Sequence, residues 1–250
     1  MNNIDETHLY DNLFKQCLTL WINPEIEKRK SENRLPDKFI IKRVQIILPL
    51  GSTPTVRFNE EVKVIVKAKC NKAIKKGDVI YESDVDSIED IRLTEEETDF
   101  GHITMIVFKN HWLISFSFLY DQKKSKEFYE IGESFLESAN KDLEAKNYRP
   151  FVESLSVAAE NYAKSRLYLL PDLEVRTLKK HDSLKSRVCW YSMKGNIINK
   201  EFKDSFTTLL FLRDKARYKK DFTLNQNEAE KIFQSVIIFK NDLMKWLLFD

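Results

Sequence analysis

The densest group of residues able to act on a phosphate lies in the stretch LRDKARYKKD, residues 212–221. Arg213 and Arg217 are four positions apart, so on a helix both guanidinium groups project from one face. A guanidinium keeps its charge at physiological pH and offers a planar fork of N–H donors that matches phosphate oxygens. Asp214 can pair with a neighbouring basic side chain and hold it in one rotamer, and Tyr218 adds a hydroxyl on an aromatic ring. The stretch suits a phosphate site, and the competing interpretation is a solvated basic helix end.

Further side chains extend this candidate site. Three lysines are expected to steer phosphate rather than to catalyse: Lys215, Lys219 and Lys220. His181, inside a basic stretch, could approach Arg213 through packing or across a dimer; the alternative is a loop or helix-cap histidine. Glu160 precedes Lys164 by four positions, which predicts a solvated ion pair, although it could also orient Arg213 across a bundle.

Positive charge is concentrated in one part of the chain. The formal net charge is only +2, yet residues 176–220 hold 13 Lys and Arg against 4 Asp and Glu. A local excess of this size creates a field that attracts polyanions. The charge distribution therefore supports a nucleic-acid partner without proving one.

Composition limits the other classes of protein. With 250 residues, 42% hydrophobic and 32% charged, the chain is predicted to be globular and long enough for two domains. It has no apolar run of roughly 20 residues and no signal-peptide pattern, so no membrane contact and a cytoplasmic location are expected. The three cysteines are far apart in the sequence, so no disulfide is predicted. His102 and His111 have no cysteine or carboxylate cluster nearby, so no metal site is predicted. The chain has only 5 glycines and lacks a glycine-rich phosphate-binding loop, so no cofactor is expected.

The first half of the chain is predicted to be β-rich and to begin with helices. Leu9, Leu13 and Cys17 recur at helical spacing, and Pro24 is expected to break that helix and open a second one. Short β-branched stretches then predict mostly antiparallel strands at residues 39–48, 61–68, 75–81, 102–108 and 112–120. The strand at 61–68 is expected to be half-buried, because valines alternate with lysines. The acidic stretch 82–99 is predicted to be mainly loop.

From Gln122 onward the apolar residues follow helical spacing. Five helices are predicted: one before a break at 147–150, one ending at Pro171, a short one at 189–193, one at Lys200–Tyr218, and one capped by Asn225 and Glu228. Short connections imply antiparallel packing. The chain is therefore predicted to be an α+β protein, with a β-rich domain and flanking helices at 1–121 and an antiparallel helical bundle at 122–250.

Three stretches of this bundle resemble a HEPN domain, the higher-eukaryote-and-prokaryote nucleotide-binding helical bundle. They are FLESANKDLEAKNYRPFVESLSVAAENYAKSRLYLL, KKHDSLKSRV and LLFLRDKARYKKDFTLNQNEAEKIF, which together cover about residues 125–248. The resemblance implies an RNA- or nucleotide-binding bundle that forms a homodimer and joins two arginine-led motifs in one cleft. It also implies a toxin or antiviral-defence setting, with an antitoxin-like or nucleotidyltransferase partner.

The ribonuclease motif of this family is an arginine followed four to six residues later by a histidine. Arg213 matches the arginine, but Tyr218 stands at the later position. A histidine exchanges protons near neutral pH, whereas an ordinary tyrosine holds its proton until about pH 10. RNA binding therefore carries over more directly than metal-independent cleavage, in which Arg213 would stabilise the phosphorane and Tyr218 would bind or relay a proton beside Asp214.

Two functions from different classes remain open at this point. The first is RNA binding with possible endoribonuclease activity; the alternative is a non-catalytic dimeric interaction module whose β-domain recognises a protein or small ligand. A positive cleft joining two copies of Arg213 would favour RNA, and apolar burial of Tyr218 with Asp214–arginine pairing would favour the alternative. A surplus of large apolar side chains predicts the dimer: Phe206, Phe211, Phe233, Phe239, Trp246 and Phe249.

Overall fold

The computed structural model contains two compact units, one ending at Phe118 and the other beginning at Leu119. It describes residues 6–97, 99–177, 181–195 and 197–247; the side chains of residues 6–10, 95, 181 and 182 lie outside that description. The first unit combines helices with β-sheet and the second is helical, which confirms the α+β prediction.

The N-terminal unit begins with a continuous helical segment. Helix α1 (Glu6–Cys17) passes through a π-helical turn (Leu18–Ile22) directly into α2 (Asn23–Ser31). The break expected at Pro24 was therefore wrong. Pro24 lies in the first turn of α2, where a missing N–H needs no intrahelical partner, and the preceding turn widens instead of ending.

Two antiparallel sheets follow the helices. Their strands are β1 (Arg43–Leu48), β2 (Thr55–Phe58), β3 (Ile65–Cys70), β4 (Val85–Arg92), β5 (Gly101–Phe108) and β6 (His111–Ser117). One sheet has the order β2-β1-β5-β6, and β3 pairs with β4 in the other. Cys17 and Ile22 pack with Val44, Ile46 and Met105 in a buried core, so the helical segment covers one face of the larger sheet.

The strand predictions were wrong around the smaller sheet. Residues 75–81 form turn and irregular structure, and β4 lies in the acidic stretch predicted as loop. The apolar residues of β4 come three apart (Val85, Ile88 and Ile91), and two register shifts in the β3–β4 ladder absorb this spacing. Val66 is 41% exposed, so β3 is not half-buried. Neighbouring lysines of β3 instead pair with Glu89 across the ladder.

The C-terminal unit is a helical bundle built around one central helix. Its elements are α3 (Gln122–Glu144), α4 (Tyr148–Tyr168), α5 (Leu173–Arg176), α6 (His181–Met193), α7 (Lys200–Tyr218) and α8 (Gln226–Leu247). Helix α4 is buried along most of its length, and its small residues Ala158, Ala159 and Ala163 let neighbouring helices approach closely. The bundle core therefore surrounds α4.

Most helix predictions for this unit are confirmed, with two corrections. Helix α7 has the predicted bounds, and the Glu228 amide donates to Asn225 Oδ1 at 2.9 Å as the cap at the start of α8. Helix α6 begins at His181 rather than at residue 189, and α5 was not predicted. The early part of α6 buries only a narrow stripe, Leu184 and Val188, so its apolar signal is weak.

The aromatic residues proposed for a dimer surface are divided between the core and the surface. Phe206, Phe233 and Phe239 lie inside the bundle, so interpreting these three as surplus was wrong. Phe211 and Trp246 are 59% and 42% exposed, and Phe249 lies outside the described residues.

Candidate nucleic-acid interface

Helices α4 and α7 run antiparallel and are joined by charged side chains. The first contact is an ion pair in which Arg213 Nη1 donates to Glu160 Oε1 at 2.7 Å. Arg213 is 7% exposed and Glu160 is 5% exposed, so the pair lies inside the bundle. The predicted solvated pair with Lys164 was wrong, because the Lys164 ammonium lies over the Phe128 ring instead. Glu160 therefore positions Arg213, as the alternative interpretation allowed.

The guanidinium of Arg213 keeps one unused donor. Within the part of the chain that the structure describes, its buried Nε makes no hydrogen bond. An unpaired buried N–H costs about 1–3 kcal/mol, since it has lost water without gaining a partner. The contact with Glu160 thus fixes Arg213 in place without satisfying all its donors.

Two turns nearer the start of α4, a second ion pair is open to solvent. Arg217 Nε and Nη2 donate to the two carboxylate oxygens of Glu153 at 2.6 and 2.5 Å. The two side chains are 43% and 30% exposed. Hydrogen bonding to Glu153 raises the pKa of Arg217, so the guanidinium stays charged. Because exposed pairs contribute only about 0–1 kcal/mol, a phosphate can compete with Glu153 for this fork.

Arg149, in the first turn of α4, binds carbonyls at the end of α7 and just beyond it. Arg149 Nη1 donates to the carbonyl of Ala216, and Nη2 donates to the carbonyls of Lys219 and Lys220 at 2.8 and 3.3 Å. These carbonyls have no following helical turn to bond, and a cation is favourable at the negative end of a helix. Arg149 therefore fixes the backbone from which the two lysines project.

Most of the remaining side chains of residues 213–220, which we call the α7 end, face solvent, whereas Ala216 is buried. Tyr218 is 80% exposed, and Asp214, Lys219 and Lys220 are also exposed. The ammonium of Lys215 lies 4.5 Å from the centroid of an exposed phenylalanine ring, that of Phe211. Among the described residues none of the three lysines, nor Asp214, forms an ion pair. The surface thus presents free ammonium groups around an exposed aromatic ring.

A family model for the HEPN domain matches residues 125–246. This chain carries a HEPN domain. Membership indicates a function of the ribonuclease or nucleotide-binding type, and HEPN domains often bind RNA and dimerise. A search of curated proteins finds no match.

The position of the HEPN motif explains which predicted site residues meet. The arginines are held against α4, while Asp214 and Tyr218 face solvent on another side of α7. The side chain of His181 lies outside the described residues, so its predicted approach to Arg213 stays a prediction. Within the described ranges, no group of three or more His, Cys, Asp and Glu could hold a metal ion, and no helix is long and apolar enough to cross a membrane.

The linear charge count overestimates the positive field of the HEPN domain. Five basic residues of the 176–220 window bind carboxylates: Arg176, Arg187, Lys203, Arg213 and Arg217. The carboxylates that pair with four of these five residues lie outside the window, so a count along the chain cannot include them. Among the described lysines of the window that form no ion pair, three lie together at the α7 end: Lys215, Lys219 and Lys220.

Two residues that hold the α7 end were absent from the sequence prediction. Arg149 and Glu153 lie in the first two turns of α4, more than 60 positions before their partners on α7. Arg149 and Glu153 are four positions apart, as are Arg213 and Arg217, so each pair lies on one face of its helix. This common spacing is the sequence signal that these faces could pack together. Without knowing that these two helices pack together, the spacing has no meaning.

Proposed function

We propose that the HEPN domain binds single-stranded RNA at the α7 end. The observation that carries the proposal is Tyr218, an aromatic side chain 80% exposed on the helix end that also carries Lys219 and Lys220. Proteins that bind single strands combine ammonium groups along the phosphate backbone with aromatic rings on which bases stack, at about 1–3 kcal/mol per base. Burial of Tyr218 would have favoured the alternative interaction module, and its exposure does not.

Arg217 can bind a phosphate group of the RNA in place of Glu153. Its guanidinium already makes two parallel hydrogen bonds to a carboxylate, the geometry in which a phosphate binds the same fork. Exchange of Glu153 for a phosphate would keep both hydrogen bonds. RNA therefore would bind without leaving a charged group unpaired, since the released Glu153 is already partly exposed to water.

Metal-independent RNA cleavage is the second candidate function. It is favoured by Asp214 and Tyr218, an exposed carboxyl group and an exposed phenol four positions apart on α7. Attack by a 2′-hydroxyl also needs a positive charge beside the phosphorane. Arg213 is buried against Glu160, and separating a buried pair costs about 3–5 kcal/mol. We therefore place RNA binding first, with cleavage by a homodimer in a toxin or antiviral setting as the further step.

Salt dependence of RNA affinity tests the proposal. For a single-stranded RNA of about 12 nucleotides, log Kd should rise linearly with log salt between about 50 and 200 mM. Replacing Lys219 and Lys220 together by Ala should weaken binding and reduce the slope by about 1.4, because each lost phosphate contact contributes about 0.7. Fluorescence anisotropy measures both quantities.

The matched control replaces two exposed lysines on other helices of the same domain, Lys141 and Lys245. This double variant removes the same charge and should leave the slope unchanged. An equal loss in both double variants would show that only overall charge matters. Absence of binding at the lowest salt concentration would refute the proposed function.

A further inference from the structure

A groove opens between the first turn of α4 and the loop that joins α7 to α8. It has a volume of about 400 Å³ and is lined by Tyr148, Arg149, Phe222, Thr223, Leu224 and Asn225. This volume lies within the range of sites that hold a small organic ligand. Arg149 also bonds the carbonyls of Lys219 and Lys220, so the groove adjoins the α7 end directly.

One wall of the groove carries a guanidinium that lies over an aromatic ring. The guanidinium carbon of Arg149 lies 5.1 Å from the centroid of the Phe222 ring, and Tyr148 lines the groove as a second aromatic residue. Three carbonyls hold the guanidinium in place, so it is rigid before a ligand arrives. Unpaired bases bind to proteins by stacking on aromatic rings and on arginine guanidinium planes. The wall therefore suits a planar heterocycle better than a flexible aliphatic ligand.

The loop supplies polar groups beside this wall. In the part of the chain that the structure describes, the backbone groups of residues 222–224 make no hydrogen bond to protein. The first amides of α4, at Tyr148 and Arg149, also lack intrahelical acceptors and lie at the positive end of that helix. Donors and acceptors thus lie beside the Arg149–Phe222 wall, where they can bind the edge of a stacked base.

We propose that this groove is a nucleotide subsite of the RNA-binding surface. A base splayed out of a single strand stacks on the groove side of the Arg149–Phe222 pair, and the adjoining phosphate lies beside Lys219 and Lys220. The inference rests on the proposed RNA-binding function and extends it, since it adds a site for one unpaired base next to the backbone contacts. Tyr218 and the groove then hold different nucleotides of one strand.

The test compares an RNA oligomer with an oligomer of the same length and backbone that lacks bases. Phe222→Leu keeps apolar volume but removes the ring, and it should weaken binding of the base-bearing RNA about 5- to 100-fold. It should leave affinity for the abasic oligomer unchanged. Phe222→Tyr keeps the ring and should retain wild-type affinity. Phe135→Leu removes an exposed aromatic ring from α3, which does not line the groove, and serves as the matched control.

Phe222 also packs against the bundle core, so its replacement could weaken binding by destabilising the fold. A second variant separates this effect from loss of the subsite. Thr223 is exposed, so Thr223→Leu should fold and fill the groove, with the same selective loss for base-bearing RNA. Equal losses on both oligomers, or no loss in either variant, would overturn the subsite while leaving RNA binding intact. If wild type binds neither oligomer at low salt, the proposed function fails and the subsite fails with it.

Discussion

Neutralising Glu160 is expected to destabilise the HEPN domain, because its partner is a buried and permanent charge. The side chains of Arg213 and Glu160 are 9% and 7% exposed, so water cannot replace a lost carboxylate. Removing one member of a buried pair costs about 3–5 kcal/mol. Glu160→Gln keeps the shape and one acceptor oxygen, which places its effect at the lower end. We therefore expect the free energy of unfolding to fall by about 3 kcal/mol.

The same domain contains a matched control for this experiment. Glu153→Gln makes the identical chemical change between the same two helices, but at an exposed pair. Its cost should be at most about 1 kcal/mol, because solvent screens the charge that remains on Arg217. A double variant, Glu160→Gln with Arg213→Met, removes the stranded charge and should cost less than the two single changes added together.

Hydrogen exchange followed by mass spectrometry measures these effects in the full chain. Peptides from α4 and α7 report opening of the HEPN domain separately from the N-terminal unit. Similar losses of protection in Glu160→Gln and Glu153→Gln would contradict the burial of the first pair. Strict additivity in the double variant would show that Arg213 and Glu160 do not interact, and the proposed positioning role would be lost.

Two other features give measurable outcomes. Tyr218→Phe keeps the ring, so RNA affinity should change little, while any cleavage in EDTA should fall roughly 10²–10⁴-fold if the hydroxyl relays a proton; an unchanged cleavage rate would assign that step elsewhere. Burial lowers the pKa of His102 from 6.5 to about 4, so only the unfolded chain takes up a proton between these values and stability should fall as pH is lowered, by up to ~3 kcal/mol. Denaturant titrations at pH 7 and 4.5 measure the decrease in the free energy of unfolding between these values. His102→Gln should make this decrease smaller, and His111→Gln, at an exposed position, should leave it unchanged.

Local patterns predicted the elements that frame the site. Helix α7 was found because its apolar residues keep a helical period up to Leu210, and α8 because Asn225 and Glu228 have cap spacing. Both signals lie within a few residues of the feature that they specify. Strand β4 was missed because its register shifts remove the alternation that identifies a strand.

The chemistry of the site was less predictable, because it depends on which helices meet. The sequence shows Arg213 and Arg217 as equivalent neighbours on one helix face. In the folded bundle, Arg213 forms a buried ion pair with Glu160, whereas Arg217 forms a solvent-exposed ion pair with Glu153. Exposure of Tyr218 likewise depends on how α7 is seated in the bundle, and the residues around Tyr218 do not contain that information.

The contacts that hold the α7 end have a consequence for the order of folding. Glu160, Glu153 and Arg149 precede their partners by 53, 64 and up to 71 residues, whereas α3 and α4 are consecutive helices joined by a short turn. Closing such long loops is entropically slower than pairing adjacent segments. An α3–α4 hairpin can therefore form on a growing chain while the α7 end is still incomplete. If the proposed function holds, RNA can bind only after the segment ending at Lys220 has been synthesised and docked.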